Sequence, residues 1–421
     1  MTSPRRTSTP GRSLRRGGLW VAMASNAANV ALILLNLGLI RFLDTGDYGA
    51  VAALLGVNLV GTVPGLALQV VLARRTATAP TDRNLRGALW TVLLVWSGVV
   101  ALAVGLLTVA LSPVLTALLH LDSTAPMLWL AASLVPFVLV SAVQGLLQGA
   151  ERFAALSVSL GLVGVGKLVG GLGGVPWGVS GVLAGTAVAA LLATAASVGL
   201  LVGDLRRPRH GVAGDGVLTE LRGATSGVFG LFALQNLDVV LARHLLPAQL
   251  SGVYAAGSLT AKGVFWLLHV VAVVVFPRLS DPDQRRHLLR RAFWLVSAGL
   301  VVAALAATAG GPTVLPFVFG PDYHTLGLVA GVFALVGGLV ALAELLLYAN
   351  LAVRGHRISW GLWVAMAGFV GLVYAVGHRT VAGIAWLDAL CLALLVGFGV
   401  LVERPGLPRT TSPRRVDAPE T

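Results

Sequence analysis

Long apolar segments separated by short polar ones run through the whole chain. Twelve of the apolar segments are roughly 18 to 25 residues long, the length that an α-helix needs to cross the hydrocarbon core of a bilayer. No polar stretch between them is long enough to fold as a domain. The pattern predicts an all-α integral membrane protein with twelve transmembrane helices at 19–40, 49–73, 88–111, 127–149, 153–174, 178–203, 225–245, 254–277, 292–309, 326–350, 359–377 and 381–402.

The two halves of the chain repeat one order of residues. The segment 225–262 places Asp238 inside an apolar helix, then Arg243, a short turn and a small-residue helix; the segment after Asn36 has the same layout around Arg41. Aligning the two arginines sets Asn36 against Asp238, with one extra residue in the second turn. Because each half has six spans, both repeats start on the same side of the membrane. Parallel repeats of this kind place a substrate path between two lobes.

The polar segments at the ends and in the middle set the expected domain boundaries. The first is Arg-rich and carries Pro and Gly, and the apolar run after it is too long for a cleaved signal peptide. We expect a disordered cytoplasmic tail at 1–18, an N-lobe at 19–203, a cytoplasmic linker at 204–224, a C-lobe at 225–402 and a second disordered tail at 403–421.

Composition and charge support a membrane protein. The chain is 57% hydrophobic and only 11% charged, with a mean hydropathy of +0.87, whereas soluble domains carry roughly a quarter charged residues. The net charge of +13 comes from arginines between apolar runs, so we expect no nucleic-acid partner. Apart from Arg41, Arg243 and Arg379, the arginines fall on one side of the predicted spans. This asymmetry predicts a plasma (inner) membrane protein with both termini in the cytoplasm.

Local signals predict a few further details. Pro64 is expected to bend the second span, and Asp47 to cap its N-terminus. The single Cys391 gives neither a disulfide framework nor a metal-ligand spacing, so no metal or other cofactor is expected.

Polar side chains inside the spans are the candidate functional residues, because such groups are costly in a bilayer. Asp238 lies roughly 10 Å, and Lys262 roughly 12 Å, from the outer ends of their helices, so antiparallel neighbours would meet at one level. Gln235 shares a helix face with Asp238, whereas Asn236 points elsewhere. The remaining candidates in the outer half are Asn36 and Lys167, and Asp388 also lies in the outer half.

Two interpretations of this set stay open. In the first, Lys262 binds a diphosphate or an acidic sugar, and Asp238 pairs with it or takes a coupling cation or proton. In the second, the two form a structural ion pair between spans seven and eight. Asp388 and Glu344 are weaker candidates, and His269 is interpreted as a hydrogen-bonded packing residue. Three arginines near the cytoplasmic side are interpreted mainly as determinants of topology. Their alternative role is to contact a lipid diphosphate at the cytoplasmic mouth. They are Arg74, Arg75 and Arg278.

Several phrases resemble a known family. RFLDTGDYGAVAAL, VVVFPRLS, PFVFGPDYHTLG and LLQGAERFAALSVSLGLVGVGKL are similar to the polysaccharide-synthesis (Wzx-type) branch of the multidrug/oligosaccharidyl-lipid/polysaccharide (MOP) exporter superfamily. The similarity covers nearly the whole chain except the tails. It implies a V-shaped bundle of two lobes, with a cavity lined mainly by spans 1, 2, 7 and 8, that works by alternating access. The chain departs from the fourteen-span lipid II flippase branch in having twelve spans and few cations of the cavity type.

The predicted function is therefore a flippase for a polyisoprenyl-diphosphate-linked saccharide precursor. Its partners would be this lipid-linked substrate, the bilayer and glycan-synthesis enzymes. One alternative is a MATE-like, cation-coupled antiporter of drugs or small molecules, which would also use an acid in the bundle. A second is a non-transporting regulatory or scaffold protein of the same fold. An enzyme is disfavoured, because the short exterior loops lack convergent catalytic groups.

Overall fold

The computed structural model of the chain describes residues 10–79, 82–205, 217–275, 282–352, 357–376 and 380–403. These residues form α-helices joined by short turns and three-residue 3-10 helices. The helices are α1 (Pro10–Phe42), α2 (Thr45–Gly61), α3 (Val63–Ala77), α4 (Arg83–Leu118), α5 (Ala125–Gly149), α6 (Phe153–Gly173), α7 (Gly178–Gly199), α8 (Val217–Leu245), α9 (Ala248–Val275), α10 (Pro282–Phe319), α11 (Leu326–Ala352), α12 (Arg357–Val376) and α13 (Val381–Glu403).

Helices of membrane-spanning length occupy the twelve predicted positions. Within the described residues, 11 stretches are long and apolar enough to cross a membrane, and α2 and α3 together form one of them. The twelfth position is α8, whose 29 residues extend over about 43 Å at the usual helical rise. The prediction of an all-α multi-pass membrane protein is confirmed.

The two halves of the chain pack in the same pattern. In the first half α5 contacts α3, α4 and α7, and in the second half α11 contacts the corresponding helices α9, α10 and α13. Likewise α6 packs on α1 and α7, while α12 packs on α8 and α13. The central helices are the most buried: within the 18-residue apolar stretch that could span a membrane, 83% of the residues of α5 and 78% of those of α11 are buried. The predicted pair of six-helix lobes with parallel repeats is confirmed.

The lobes meet through a close crossing of α2 and α9. A Cβ atom on Gly49 would lie 2.5 Å from Ser251 Oγ, and one on Gly252 would lie 1.8 Å from the carbonyl oxygen of Thr45. The repeat alignment pairs these two glycines with each other. Helix backbones approach this closely only where side chains are absent. Away from the crossing, α2 and α3 pack along α8.

Two predicted boundaries are wrong. Helix α1 begins at Pro10, so residues 10–18 continue the first helix instead of belonging to a disordered tail. Proline is favoured in a first turn, where its missing N–H has no helical partner. Helix α8 begins inside the predicted linker, with Glu220 in its first turn, where the helix dipole favours a carboxylate. The other parts of the tails and linker lie outside the described residues, at 1–9, 206–216 and 404–421.

The second predicted span is divided into α2 and α3. Pro64 lies in the first turn of α3 and lacks the N–H that a continuous helix needs. At the junction, the Thr62 hydroxyl donates to the Leu59 carbonyl at 2.7 Å. The helix is thus divided beside Pro64, and the predicted bend stays a prediction. The predicted cap is wrong: Asp44 is the N-cap, and its carboxylate accepts the N–H of Asp47.

Replacing Gly252 with alanine is expected to lower the thermal unfolding midpoint of the detergent-solubilised protein. The new methyl group would overlap the Thr45 carbonyl, and overpacking of this kind costs about 1–3 kcal/mol. Gly263 lies on the same helix with no atom within 4 Å of its Cβ position, so Gly263→Ala is the matched control. We expect it to be neutral or stabilising. Equal losses in both variants would show that the α2–α9 crossing does not hold the lobes together.

Candidate functional site

A small cavity lies inside the C-lobe among α8, α9, α11 and α13. Its volume is ≈ 20 Å³, which is room for about one water molecule or a bare cation. Apolar side chains form much of its wall. Its polar lining consists of Gln235, Asp238, Ser258, Lys262 and Asp388.

The carboxylate of Asp238 is buried in this cavity and only partly hydrogen-bonded. The residue is 4% exposed, and the hydroxyls of Ser258 and Tyr254 lie beside its carboxylate. Its Oδ1 atom has no hydrogen-bond partner among the described residues. Leaving a buried polar group unpaired costs about 1–3 kcal/mol, and more when the group is charged. The unpaired oxygen is therefore a favourable position for a proton or a cation.

A second carboxylate, that of Asp388 on α13, lines the same cavity. It is 3% exposed and interacts electrostatically with Asp238. With Lys262, the cavity holds two carboxylates and one ammonium group, and ionising both acids would leave one net negative charge away from water. Burial disfavours such a charge, and one proton or monovalent cation would balance it.

Sequence reasoning placed Asp388 at the right depth but left it outside the site. Asp388 and Asp238 lie at the same depth, about 10 Å from the helix ends that face the arginine-poor side of the predicted spans. This equal depth could have placed Asp388 in the same predicted site as Asp238.

The side chain of Lys262 extends from the cavity to the seam between the lobes. Its Nζ donates to Asn236 Oδ1 at 3.0 Å, and that oxygen lies 3.5 Å from the position of a Cβ atom on Gly56 of α2. Asn236 thus faces α2 and, as predicted, is not among the residues that line the cavity, whereas Gln235 is; its contact with Lys262 was not predicted. The four-carbon stem of lysine lets its ammonium reach the neighbouring face of α8.

Two of the predicted site residues lie in the other lobe. Asn36 Nδ2 donates to the Leu32 carbonyl of its own helix at 2.9 Å. Lys167 Nζ lies 4.1 Å from the ring centroid of Phe137, a cation–π contact. Neither residue lines the C-lobe cavity, so the predicted set divides between the lobes.

The arginines expected at the cytoplasmic mouth differ in their surroundings. Arg74 is exposed near the end of α3. Arg75 forms an ion pair at 2.9 Å with Glu220 of α8, which joins the lobes at the arginine-rich end of the bundle. Arg278 lies outside the described residues.

A second polar pair lies farther along α9 and α11. His269 Nδ1 is 2.6 Å from Glu344 Oε2, and the carboxylate side chain is 3% exposed. On α9, His269 lies about 10 Å from Lys262 along the helix axis, and neither member of the pair lines the cavity. The interpretation of His269 as a hydrogen-bonded residue agrees with this contact.

Removing the positive charge from the cavity is expected to destabilise the protein. Lys262→Met leaves two buried carboxylates without the nearby ammonium, and an uncompensated buried charge costs roughly 3–5 kcal/mol. Adding Asp238→Asn should recover part of the lost stability, because both substitutions remove the same electrostatic interaction between Lys262 and Asp238. Thermal unfolding midpoints of both single variants and the double variant test the coupling. Lys167→Met is the control, since its amine contacts a ring rather than an acid. Strictly additive losses would argue against an electrostatic pair.

Comparisons with known proteins bear on the fold. The sequence matches no protein-family profile and no curated protein. The lipid II flippase MurJ in an inward closed conformation matches with a TM-score of 0.74 and 10% identity, over 91% of this chain and 87% of that one. The eukaryotic MATE transporter AtDTX14 matches with a TM-score of 0.60 and 14% identity, over 93% and 97%.

A further match is an inward-facing MATE family transporter of the MOP superfamily. Its TM-score is 0.65 with 13% identity, over 90% of this chain and 94% of that one. At such low identities the comparison establishes the fold, and it confirms the architecture that the sequence resemblance implied. The chain has the fold of the MOP exporter superfamily, which MATE transporters and the MurJ flippase share.

Proposed function

We propose that the chain is a plasma-membrane flippase that moves a polyisoprenyl-diphosphate-linked saccharide precursor outward by alternating access. The observation that carries the proposal is the pair of repeat-related lobes, joined by a glycine crossing between α2 and α9. Parallel repeats that part and rejoin at such a contact can open a central path to one side at a time. Glycan-synthesis enzymes of the same membrane would supply the substrate.

Two observations support a lipid-linked substrate over a soluble one. The TM-score with the lipid II flippase, 0.74, exceeds the 0.60 and 0.65 of the two MATE structures. In addition, α1 packs along α6, while large apolar side chains on α1 and α9 remain exposed. They include Trp20, Met23, Leu267 and Val270. If α1 and α9 separate during the proposed cycle, these side chains would line an apolar entry for a polyisoprenyl chain from the bilayer.

The C-lobe cavity supplies the coupling step of the proposed cycle. An anionic headgroup in the seam would attract the Lys262 ammonium, which already reaches Asn236 beside α2. Asp238 and Asp388 would then lose their nearby positive charge and take up a proton or a monovalent cation. Arg74, exposed near the end of α3, would meet the diphosphate at the arginine-rich mouth.

Transport in proteoliposomes is the direct test. Wild-type protein is expected to translocate a polyisoprenyl-diphosphate-linked oligosaccharide, and both Asp238→Asn and Lys262→Ala should reduce the rate at least about tenfold, since each removes a buried charge that the coupling step requires. Asp322→Asn, which removes an exposed acid outside the cavity, is the charge-matched control and should keep the wild-type rate.

Other outcomes of this assay assign other functions. A lipophilic cation dye offered in parallel tests the antiporter, which the two acids of the cavity would also suit. Dye export driven by an ion gradient, without glycolipid movement, would make the chain an antiporter. Movement of neither substrate would favour a scaffold role. Undiminished glycolipid transport in both cavity variants would make the charged cluster structural.

A disulfide across the glycine crossing is expected to stop transport reversibly. A Cβ atom on Gly46 would lie 3.3 Å from Ala248 Cβ, close to the separation of a disulfide. Gly46→Cys with Ala248→Cys, in a Cys391→Ser background, should lose translocation on oxidation and regain it on reduction. Each single cysteine variant under the same oxidation is the control. Full transport by the cross-linked protein would rule out opening at this end.

A further inference from the structure

Arg243, near the end of α8, reaches from the C-lobe into the N-lobe. The residue is 8% exposed. Its Nε donates to the Leu119 carbonyl at 2.9 Å, and its Nη2 to the His120 carbonyl at 3.4 Å, both directly after α4. Its Nη1 donates to the Gly46 carbonyl at 3.1 Å. This single guanidinium therefore joins three backbone carbonyls of the opposite lobe.

Arg41, at the end of α1, makes the reciprocal contact. Its Nε donates to the Val318 carbonyl at 2.9 Å, and its Nη2 donates to the Phe317 carbonyl. Both acceptors lie in the last turn of α10. Helices α4 and α10 are the third spans of their lobes, and the two arginines occupy equivalent repeat positions. Each lobe thus extends one arginine to the same helix end of the other lobe.

The chemistry of a helix end explains this choice of partner. The last carbonyls of a helix have no intrahelical donor and carry the negative end of its dipole. Helix α4 closes with His120 at a φ of +49° and a hydrogen bond from Leu121 N to Thr116 O at 3.0 Å. Helix α10 is followed by Gly320 at a φ of +117°. Turns of this kind end a helix, and the rigid fork of arginine suits the carbonyls exposed there.

We propose that Arg41 and Arg243 form a two-part latch that holds the arginine-poor end of the bundle closed. Both are exceptions to the arginine asymmetry of the chain, so topology does not account for them. Because each arginine is anchored on one lobe and bonded to the other, separating the lobes at this end must break both sets of bonds. The latch sets how often that end opens, and it rests on the alternating access of the proposed function.

The two halves of the latch differ in strength. Arg243 is buried, and next to it His244 Nδ1 lies 2.9 Å from the Leu118 carbonyl, while the His244 ring stacks on that of His120 at 5.5 Å. Arg41 is exposed. Loss of Arg243 should therefore open the end more than loss of Arg41. The exposed Arg41 can be replaced with little risk to folding, so Arg41→Gln keeps the test valid if Arg243→Gln does not fold.

Distances between spin labels across this end test the latch without any substrate. Thr124→Cys and Thr325→Cys, both exposed and one in each lobe, carry the labels in a Cys391→Ser background. Arg41→Gln, Arg243→Gln and the double variant are expected to raise the population of long distances. The rise should be about tenfold for Arg243→Gln, the size expected from losing a charge-assisted hydrogen bond. The double variant should show the largest rise.

Arg152→Gln is the matched control. Arg152 also donates to a helix-end carbonyl, that of Leu200 at 3.0 Å, and pairs with Asp204 at 2.8 Å, but both partners lie in its own lobe. Its distances should equal those of the wild type. Unchanged distances in Arg41→Gln and in every folded Arg243 variant would overturn the latch. If wild type moves no glycolipid while the latch variants still widen, the proposed function fails and the latch stands.

Discussion

The hydrocarbon core of a bilayer contains no water, so every polar group there needs a partner inside the protein. Helices satisfy the backbone, and hydroxyls such as those of Ser97, Thr186 and Ser197 donate to carbonyls one turn earlier on their own helix. Few charged side chains are buried among the described residues, and they include Asp238, Arg243, Glu344 and Asp388. In the C-lobe cavity the charges are not fully satisfied, because two acids and one lysine line it and one carboxylate oxygen stays unpaired. A buried imbalance of this kind suits a group that gains and loses a proton or cation.

The repeat gives the two lobes one frame but different chemistry. Asn36 occupies the position of Asp238 and donates to the Leu32 carbonyl of its own helix, so an amide stands in the N-lobe where the C-lobe has its unpaired acid. Pro64 divides the second span into α2 and α3, whereas the equivalent α9 continues unbroken. The unbroken helix carries Lys262 and His269 into the C-lobe interior. In the proposed cycle, ion coupling therefore belongs to the C-lobe, and the N-lobe supplies the surface against which it moves.

The sequence was sufficient to predict what depends on length and hydropathy. The twelve spans, the repeat and the division of the second span beside Pro64 follow from local patterns, since the bilayer imposes one helix length and proline removes one donor. Contacts that depend on tertiary packing could not be predicted from the sequence. The contact of Lys262 with Asn236 was not predicted, because a helical wheel ignores the reach of a lysine on the next helix. The partners of Arg41 and Arg243 are backbone carbonyls. A carbonyl is present at every residue, so the sequence showed these two arginines only as exceptions to the charge asymmetry.

Helix α8 connects these features physically. It carries Asp238 in the cavity, Asn236 against Gly56 of the other lobe, and Arg243 on the end of α4. Asp238 and Arg243 are separated by only about 7 Å along the helix axis, and helices move as rigid elements on this scale. A rotation or shift of α8 that relieves an unbalanced charge at Asp238 must also change the Arg243 hydrogen bonds and the Asn236 packing. In the proposed cycle, α8 therefore converts the arrival of one proton or cation into separation of the lobes at the arginine-poor end.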